Sequence, residues 1–267
     1  MIRDLDDGKQ ESGYRDQGVE VFRGDARIAG PGRVEVAGTV LETDRIVVAT
    51  GSDARIPPID GVEQAGYWTN REATTIQELP ASIVIVGGGP VGVELGQFFA
   101  RFGTTVMLVQ SAGRLVDRED SAVGELITDA LREDGIDVRV GVHATSARRE
   151  NGERVLTLDD GNEARGQELL IATGRSPRVE NIGLEHVGIE ADPKGIQIDE
   201  RCRAGEGVWA VGDVTGVMPF THVGMYQARI VCADIAGNPA RADYSAIPRV
   251  VFSDPEIAAV GHRSPSP

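Results

Sequence analysis

The stretch Ile83–Gln110, IVIVGGGPVGVELGQFFARFGTTVMLVQ, decides how the chain is read. It passes from a short apolar β-run through a glycine knot into an amphipathic helix and out into a second β-run. Gly87, Gly89 and Gly92 give G-x-G-x-x-G directly after the predicted strand Ile83–Val86, and Pro90 pre-sets the first helical turn, where a missing N–H costs nothing. In such a knot Gly87 allows the tight strand-to-helix turn, Gly89 lets the backbone approach a pyrophosphate, and Gly92 brings helix and strand together, a contact that Gly96 is expected to extend. Gly88 and Val91 complete the loop. The N–H groups and positive dipole end of the helix then face a phosphate. A glycine-rich turn alone is weak evidence, but here strand, knot, helix and second strand stand in register. The spacing predicts a dinucleotide-binding βαβ unit.

With 267 residues and 40% hydrophobic content, the chain can bury a core of one or two domains. A net charge of −15 argues against nucleic acid or an anionic membrane as partner, because phosphate is bound through basic surface. The opening MIRDLDDGKQ lacks the apolar core of a signal peptide, and the longest apolar run, from Ile83, meets Glu94 too soon to span a bilayer. No membrane segment is expected, and a cytoplasmic location follows. Cys202 and Cys232 are too few and too isolated for a disulfide scaffold, and the 4 histidines have no paired-ligand spacing. No metal site is expected.

Taken in order, residues 1–18 read as the polar tail of a helix closed by Gly18. Short meander strands are predicted at Val19–Phe22, Arg27–Ala29, Arg33–Val36, Thr39–Glu42 and Arg45–Ala49, with Ile46–Ala49 apolar enough to be buried on both faces. Ile56-Pro57-Pro58 is a stiff linker. A short helix around Glu72–Leu79 is stopped by Pro80. After the βαβ unit, Ser121–Asp134 places Val123, Leu126, Ile127, Ala130 and Leu131 on one helical face, and Ile136–Val140 is a third strand. Ser146–Arg149, Val155–Leu158 and Glu163–Arg165 alternate with turns, and Leu169–Ala172 closes the unit. Further strands are expected at Gly195–Ile198, Gly207–Val211 and Arg249–Ser253, with a helix from His222 to Ile235 ended by Gly237-Asn238-Pro239. The final GHRSPSP carries no periodicity. Ala49-Thr50-Gly51 and Ala172-Thr173-Gly174 are the same strand-plus-turn ending used twice, which points to two nucleotide domains of related design.

Five ordered motifs, RIVVATGS, IVIVGGGPVGVELG, LLIATGR, GVWAVGD and VVFSDPEIAAVG, resemble those of the class I pyridine nucleotide-disulfide oxidoreductases. These are the flavoproteins that include dihydrolipoyl dehydrogenase and mercuric reductase. The resemblance implies an α/β, FAD/NAD(P)-binding two-domain Rossmann-like fold in three layers. Its cofactors are FAD and NAD or NADP: hydride passes from nicotinamide to flavin, the flavin reduces a cysteine pair, and the dithiol reduces a small-molecule substrate. The implied division is residues 1–61, part of the flavin domain; 62–177, the NAD(P) domain; 178–244, the returning flavin segment; and 245–267, the start of a dimerisation domain.

Carried over by motif, Glu94 is the helix carboxylate near the nicotinamide amide. Thr50, Gly51 and Ser52 approach FAD, and Gly174 approaches the nicotinamide nucleotide. Asp213 accepts a hydrogen bond from a flavin-chain hydroxyl, with Phe220, Thr221 and His222 forming a wall at the flavin edge. Gln110 stands where a ribose-binding carboxylate is expected, and with Arg114 nearby the reading is weak discrimination between NAD and NADP. Cys202 and Cys232 are poor candidates for a redox pair: the charges of Arg201 and Arg203 leave a single activated thiol at Cys202 only as the lesser alternative, and Cys232 is read as a helix-core residue.

The family pattern also has an earlier FAD-binding G-x-G-x-x-G, a C-x-x-x-x-C redox pair and a longer dimerisation domain with a histidine-glutamate pair, none of which is in this sequence. The expectation is an internal portion of a family chain with its nicotinamide domain complete, its flavin domain incomplete and no catalytic residue of its own. Homodimerisation is expected of the full-length family rather than of this chain. One functional reading is a FAD-dependent NAD(P)H oxidoreductase; the alternative is a truncated, non-catalytic dinucleotide-binding remnant.

Overall fold

The computed structural model describes residues 6–261. It opens with helix α1 (Gly8–Asp16), strands β1 (Ala26–Gly30), β2 (Arg33–Val36), β3 (Thr39–Glu42), β4 (Ile46–Val48) and β5 (Ser52–Ala54), and one-turn helices α2 (Val62–Ala65) and α3 (Asn70–Ala73). Next come β6 (Ser82–Val86), α4 (Pro90–Arg101), β7 (Thr105–Gln110), α5 (Ser121–Glu133) and β8 (Asp137–Val140). These lead into β9 (Ala144–Glu150), β10 (Glu153–Leu158), β11 (Glu163–Gly166), β12 (Glu168–Ile171) and β13 (Arg175–Pro177). The last elements are β14 (Arg203–Gly205), β15 (Val208–Ala210), α6 (Thr221–Ile235), β16 (Pro248–Val251) and β17 (Ile257–Val260). Two compact units result: one runs up to Ser52 and takes in Ser176–Asp243, the other holds Asp53–Arg175 and the chain from Tyr244 onward.

The second unit is built on a parallel sheet of order β12-β6-β7-β8. Strand β6 is nearly all apolar because both faces of the sheet are covered. Period-two alternation sends Ile83 and Ile85 into a core with Phe99 of α4 and Ile127 and Leu131 of α5. Val84 and Val86 enter the opposite core, with Leu156 and Leu158 of β10 and Ala164 of β11. Strands β9, β10 and β11 form an antiparallel sheet, so the layers are helices, parallel sheet and antiparallel sheet. Each large side chain fully buried here contributes about 1.5–3 kcal/mol. The antiparallel pair β16–β17 adds Val251 and Ile257 to the helix-side core. Arg249 fastens it by a two-pronged ion pair to Glu119, at 2.8 and 2.9 Å.

In the first unit, β1, β2 and β3 form an antiparallel meander, and β15 lies between a parallel β4 and an antiparallel β14. Ile28, Ile46, Val48, Leu184, Val208 and Val214 make its core. Helix α6 sets Ile230 and Val231 against Trp209 and Cys202. The Asp234 side chain, 1% exposed, receives Nε and Nη2 of Arg203 at 2.6 and 2.9 Å and Nε1 of Trp209 at 2.9 Å. These donors, Arg203 foremost, hold the Asp234 carboxyl below the usual carboxylate range.

Several local expectations give way to stronger local interactions. Val19–Phe22 is not a strand: the Val19 N–H closes the end of α1 on the Tyr14 carbonyl, and Arg23 turns back to Asp7 and Glu11. The helix expected at Glu72–Leu79 lies earlier, at α3, because Thr69 and Glu72 form a reciprocal capping box. Thr74 and Thr75 then bond back to the Asn70 and Arg71 carbonyls and close the turn. Gly195–Ile198 forms no strand, its Ile196 N–H donating instead to the Val214 carbonyl at 2.8 Å. Strand β4 is buried on one face only, with Val47 43% exposed. Strand β17, a short Ile-Ala-Ala-Val run without polar alternation, is defined by its pairing with β16 rather than by its own pattern. GHRSPSP lies, after Gly261, outside the described residues.

The reading of Cys232 as a core residue is corrected: Cys232 is exposed, whereas Cys202, between its two arginines, is buried. The buried stripe of α6 is Val223, Gln227, Ile230, Val231 and Asp234, and Cys232 falls one residue beyond it. Among the described residues no helix is long and apolar enough to cross a membrane.

Candidate dinucleotide-binding site

The site in the second unit starts where β6 runs out. Gly87 takes φ +115 and donates its N–H to the Val109 carbonyl at 2.8 Å; a Cβ there would collide with the Ala172 carbonyl. Gly92 faces the same limit, since its Cβ would run into the Gly87 carbonyl. Gly88 packs on the next strand, where an added Cβ would lie 2.5 Å from Leu115 and 3.1 Å from Gln110. The backbone itself therefore demands glycine at 87 and 92, whereas at 88 the neighbours are the side chains of Leu115 and Gln110. At Gly96 a Cβ would be 3.5 Å from Ile85, an ordinary contact, so the close approach ends at Gly92.

Gly89 is different. It occupies the N-cap of α4 at φ −79 and ψ −173, which any residue can adopt, and an added Cβ would meet nothing within 4 Å. No side chain caps the helix, and Pro90 follows at its start, so the first N–H groups beyond Pro90, on Val91 and Gly92, remain for an outside acceptor. Packing gives no reason for glycine at 89. A pyrophosphate seated on the loop does, and the loop fits that group.

The other predicted residues of this unit have definite places. Gln110, at the end of β7, is 8% exposed and accepts the Gly88 N–H on Oε1 at 2.9 Å. The Gly88 carbonyl in turn accepts the Val116 N–H at 2.8 Å. Arg114 is turned onto the loop's own carbonyls, its Nη2 donating to Asp117 and Glu119 at 2.9 and 3.3 Å. Glu94 Oε1 accepts the Phe252 N–H at 2.9 Å. Gly174, at φ +117, ends the turn that borders Gly87: its carbonyl accepts the Arg55 N–H at 2.9 Å, and Thr173 Oγ1 donates to the Arg55 carbonyl at 2.6 Å.

The first unit repeats this turn. Thr50 Oγ1 donates to the Arg178 carbonyl at 2.8 Å, and Gly51, at φ +72, accepts the Arg178 N–H at 3.0 Å. Ser52 Oγ donates to Asp213 Oδ2 at 2.5 Å, so the RIVVATGS and GVWAVGD motifs meet at one carboxylate. Thr221 begins α6, with Phe220 at its N-cap stacked on His222, ring centroids 5.3 Å apart and planes 11° apart. A carboxylate oriented by a hydroxyl donor suits the hydroxylated chain of a flavin nucleotide, and a stacked ring pair suits its flat ring.

Two glutamines that sequence reasoning passed over support these places. Gln227 of α6 is fully buried and accepts the Gly212 N–H at 2.6 Å, which fixes the turn that presents Asp213. Gln97 of α4, 4% exposed, accepts the Asp254 N–H at 2.7 Å and donates to the Asp254 carbonyl at 2.8 Å and to Asp134 at 2.7 Å. Each is a polar residue on a buried helix face, and that mismatch is the signal the sequence held.

Residues 7–228 match the family model described as pyridine nucleotide-disulphide oxidoreductase. The chain is 36% identical over 251 residues to a mercuric reductase of Acidithiobacillus ferrooxidans, covering 91% of this chain and 46% of that protein. It is 33% identical over 259 residues to a dihydrolipoyl dehydrogenase of Haloferax volcanii, covering 91% and 54%. The solved structure of the HOCl-induced flavoprotein disulfide reductase RclA from Escherichia coli superimposes with a TM-score of 0.90 at 28% identity, over 96% of this chain and 60% of that one. The chain spans about half the length of the curated relatives it matches.

Proposed function

Because the chain belongs to the pyridine nucleotide-disulphide oxidoreductase family, we propose that it serves a FAD-dependent NAD(P)H oxidoreductase. The turn from β6 to α4 holds the nicotinamide dinucleotide, within a domain taken as residues 62–177. The Ser52–Asp213 corner holds part of the flavin. The observation that carries this reading is Gly89: a glycine whose missing side chain leaves open space where the helix presents uncapped N–H groups.

With both cofactors bound, the nicotinamide supplies a hydride and the flavin carries its electrons toward a small-molecule acceptor. The chain's own residues bind and orient. Backbone N–H groups at the start of α4 receive the pyrophosphate. Asp213, held by Ser52, accepts a hydrogen bond from a flavin-chain hydroxyl, and the Phe220–His222 pair gives a flat wall at the start of α6. The acidic balance of the chain favours a small redox substrate over nucleic acid and, with its two cysteines, the cytoplasm as compartment. Homodimerisation belongs with the full-length architecture.

A second reading has one observation in its favour: among the described residues the first unit holds no strand–glycine–helix cradle like that of β6 and α4. On this reading the chain binds a dinucleotide without flavin chemistry. The two are separated by incubating the purified chain with FAD, removing the excess, and adding NADH or NADPH. Retained flavin whose absorbance bleaches supports the oxidoreductase. Dinucleotide binding with no retained flavin supports the binding remnant, and binding of neither cofactor would overturn both.

A further inference from the structure

The residue at the end of the second strand of a dinucleotide-binding βαβ unit is placed to read the adenosine ribose. Here it is Gln110, and its amide is already half used. The Gly88 N–H is a donor only, so the oxygen of the Gln110 amide must face it, as the 2.9 Å bond requires. Nε2 must then face the other way. Among the described residues it has no hydrogen-bond partner, and it is not one of the buried unpaired atoms, so it opens to solvent. The edge of the site at Gln110 thus shows a neutral donor where a carboxylate would show a charged acceptor.

The cation nearest in sequence, Arg114, turns its Nη2 onto the carbonyls of Asp117 and Glu119 and buries its Nε, which leaves it no free two-pronged edge for a phosphate. We infer that Gln110 is both a positioning residue for the glycine knot and the residue that sets selectivity. It clasps Gly88 while offering the ribose an uncharged N–H, so the site takes 2′-phosphorylated and unphosphorylated dinucleotides alike. The selectivity half rests on the dinucleotide-binding reading above. A neutral amide neither repels a phosphate dianion nor demands a free 2′-hydroxyl.

Two variants and two measurements test the inference. Titration calorimetry of the parent chain with NAD and NADP should give dissociation constants within about fivefold of each other, and Gln110→Glu, which keeps an oxygen for Gly88, should weaken NADP at least about tenfold more than NAD by like-charge contact. Gln110→Ala should weaken both cofactors by a similar factor and speed hydrogen exchange at the Gly88 amide by about tenfold or more. A parent preference above tenfold, or a Gln110→Glu chain with an unchanged affinity ratio, would overturn the selectivity half. Unchanged Gly88 exchange in Gln110→Ala would overturn the clasp. If the parent binds neither dinucleotide, the proposed function falls and the selectivity half falls with it, while Gly88 exchange still decides the clasp.

Discussion

Gly92 and Gly87 are packed so closely that a Cβ on Gly92 would run into the Gly87 carbonyl oxygen, whereas a Cβ on Gly96, one turn further along α4, would rest 3.5 Å from Ile85. Two alanine substitutions in the same helix should therefore differ in sign. Gly92→Ala forces backbone movement and should cost about 2 kcal/mol or more. Gly96→Ala should be neutral or stabilise by up to about 1 kcal/mol, since alanine is the better helix former. Urea unfolding of the three chains is the check, and equal destabilisation by both would contradict the packing described.

The buried amide of Gln97 ties α4 to the peptide of Asp254 and to Asp134. Gln97→Ala leaves the N–H and carbonyl of Asp254 without this partner, while Asp134 keeps Arg101, and should destabilise the second unit by about 2–3 kcal/mol. Limited proteolysis should then cut near residues 251–255 before global unfolding. A variant as resistant as the parent would show that Val251 and the Arg249–Glu119 pair suffice to hold this segment.

Acid should act on the first unit through Asp234. Its carboxyl is held below the usual range chiefly by Arg203, so the ionised form is bound more tightly in the folded state than in the unfolded one. That stability is present above the unfolded carboxylate value of about 4 and is lost as pH falls through the lower folded value. Asp234→Asn should destabilise the first unit at neutral pH by removing the negative charge that receives Arg203, with solvent around the half-exposed guanidinium softening the loss. The gap between parent and variant should narrow in acid, as read from urea midpoints at a series of pH values; a gap independent of pH would remove Asp234 from the account.

The two thiols should behave as unlike singles, since Cys202 is buried and Cys232 exposed. A thiol reagent should label one cysteine per native chain and two after denaturation. Cys232→Ser should abolish the fast reaction, and Cys202→Ser should leave it. Fast labelling of both in the native chain would contradict the burial of Cys202.

The sequence made most of the second unit legible, because both of its signals are short-range. The isoleucines and valines of β6 declare a sheet covered on both faces, and the glycine pattern declares the turn. Where the reading failed, the deciding partner was close but unweighed, or distant. Thr69 and Glu72 carried the signature of a helix start, yet Pro80 drew the helix too far toward its stop. Cys232 sits one residue off the buried stripe of α6, within the error of any phase judged by eye. Gln97, Gln110 and Gln227 have roles set by backbone groups of Asp254, Gly88 and Gly212, and no local pattern around a glutamine announces a partner that only the fold supplies.

The central claim is that Gly89 is glycine because a dinucleotide pyrophosphate lies against it. Its backbone suits any residue and its Cβ direction is open, so Gly89→Val should fold with a loss of only about 1 kcal/mol from the changed N-cap. Titration calorimetry with NADH and NADPH is the direct measurement, made on parent and Gly89→Val chains with matched unfolding profiles. The account predicts at least about a tenfold loss of affinity for both cofactors in the variant, as the valine side chain pushes the phosphates off the helix N–H groups. A folded Gly89→Val chain that binds either cofactor as tightly as the parent would contradict it.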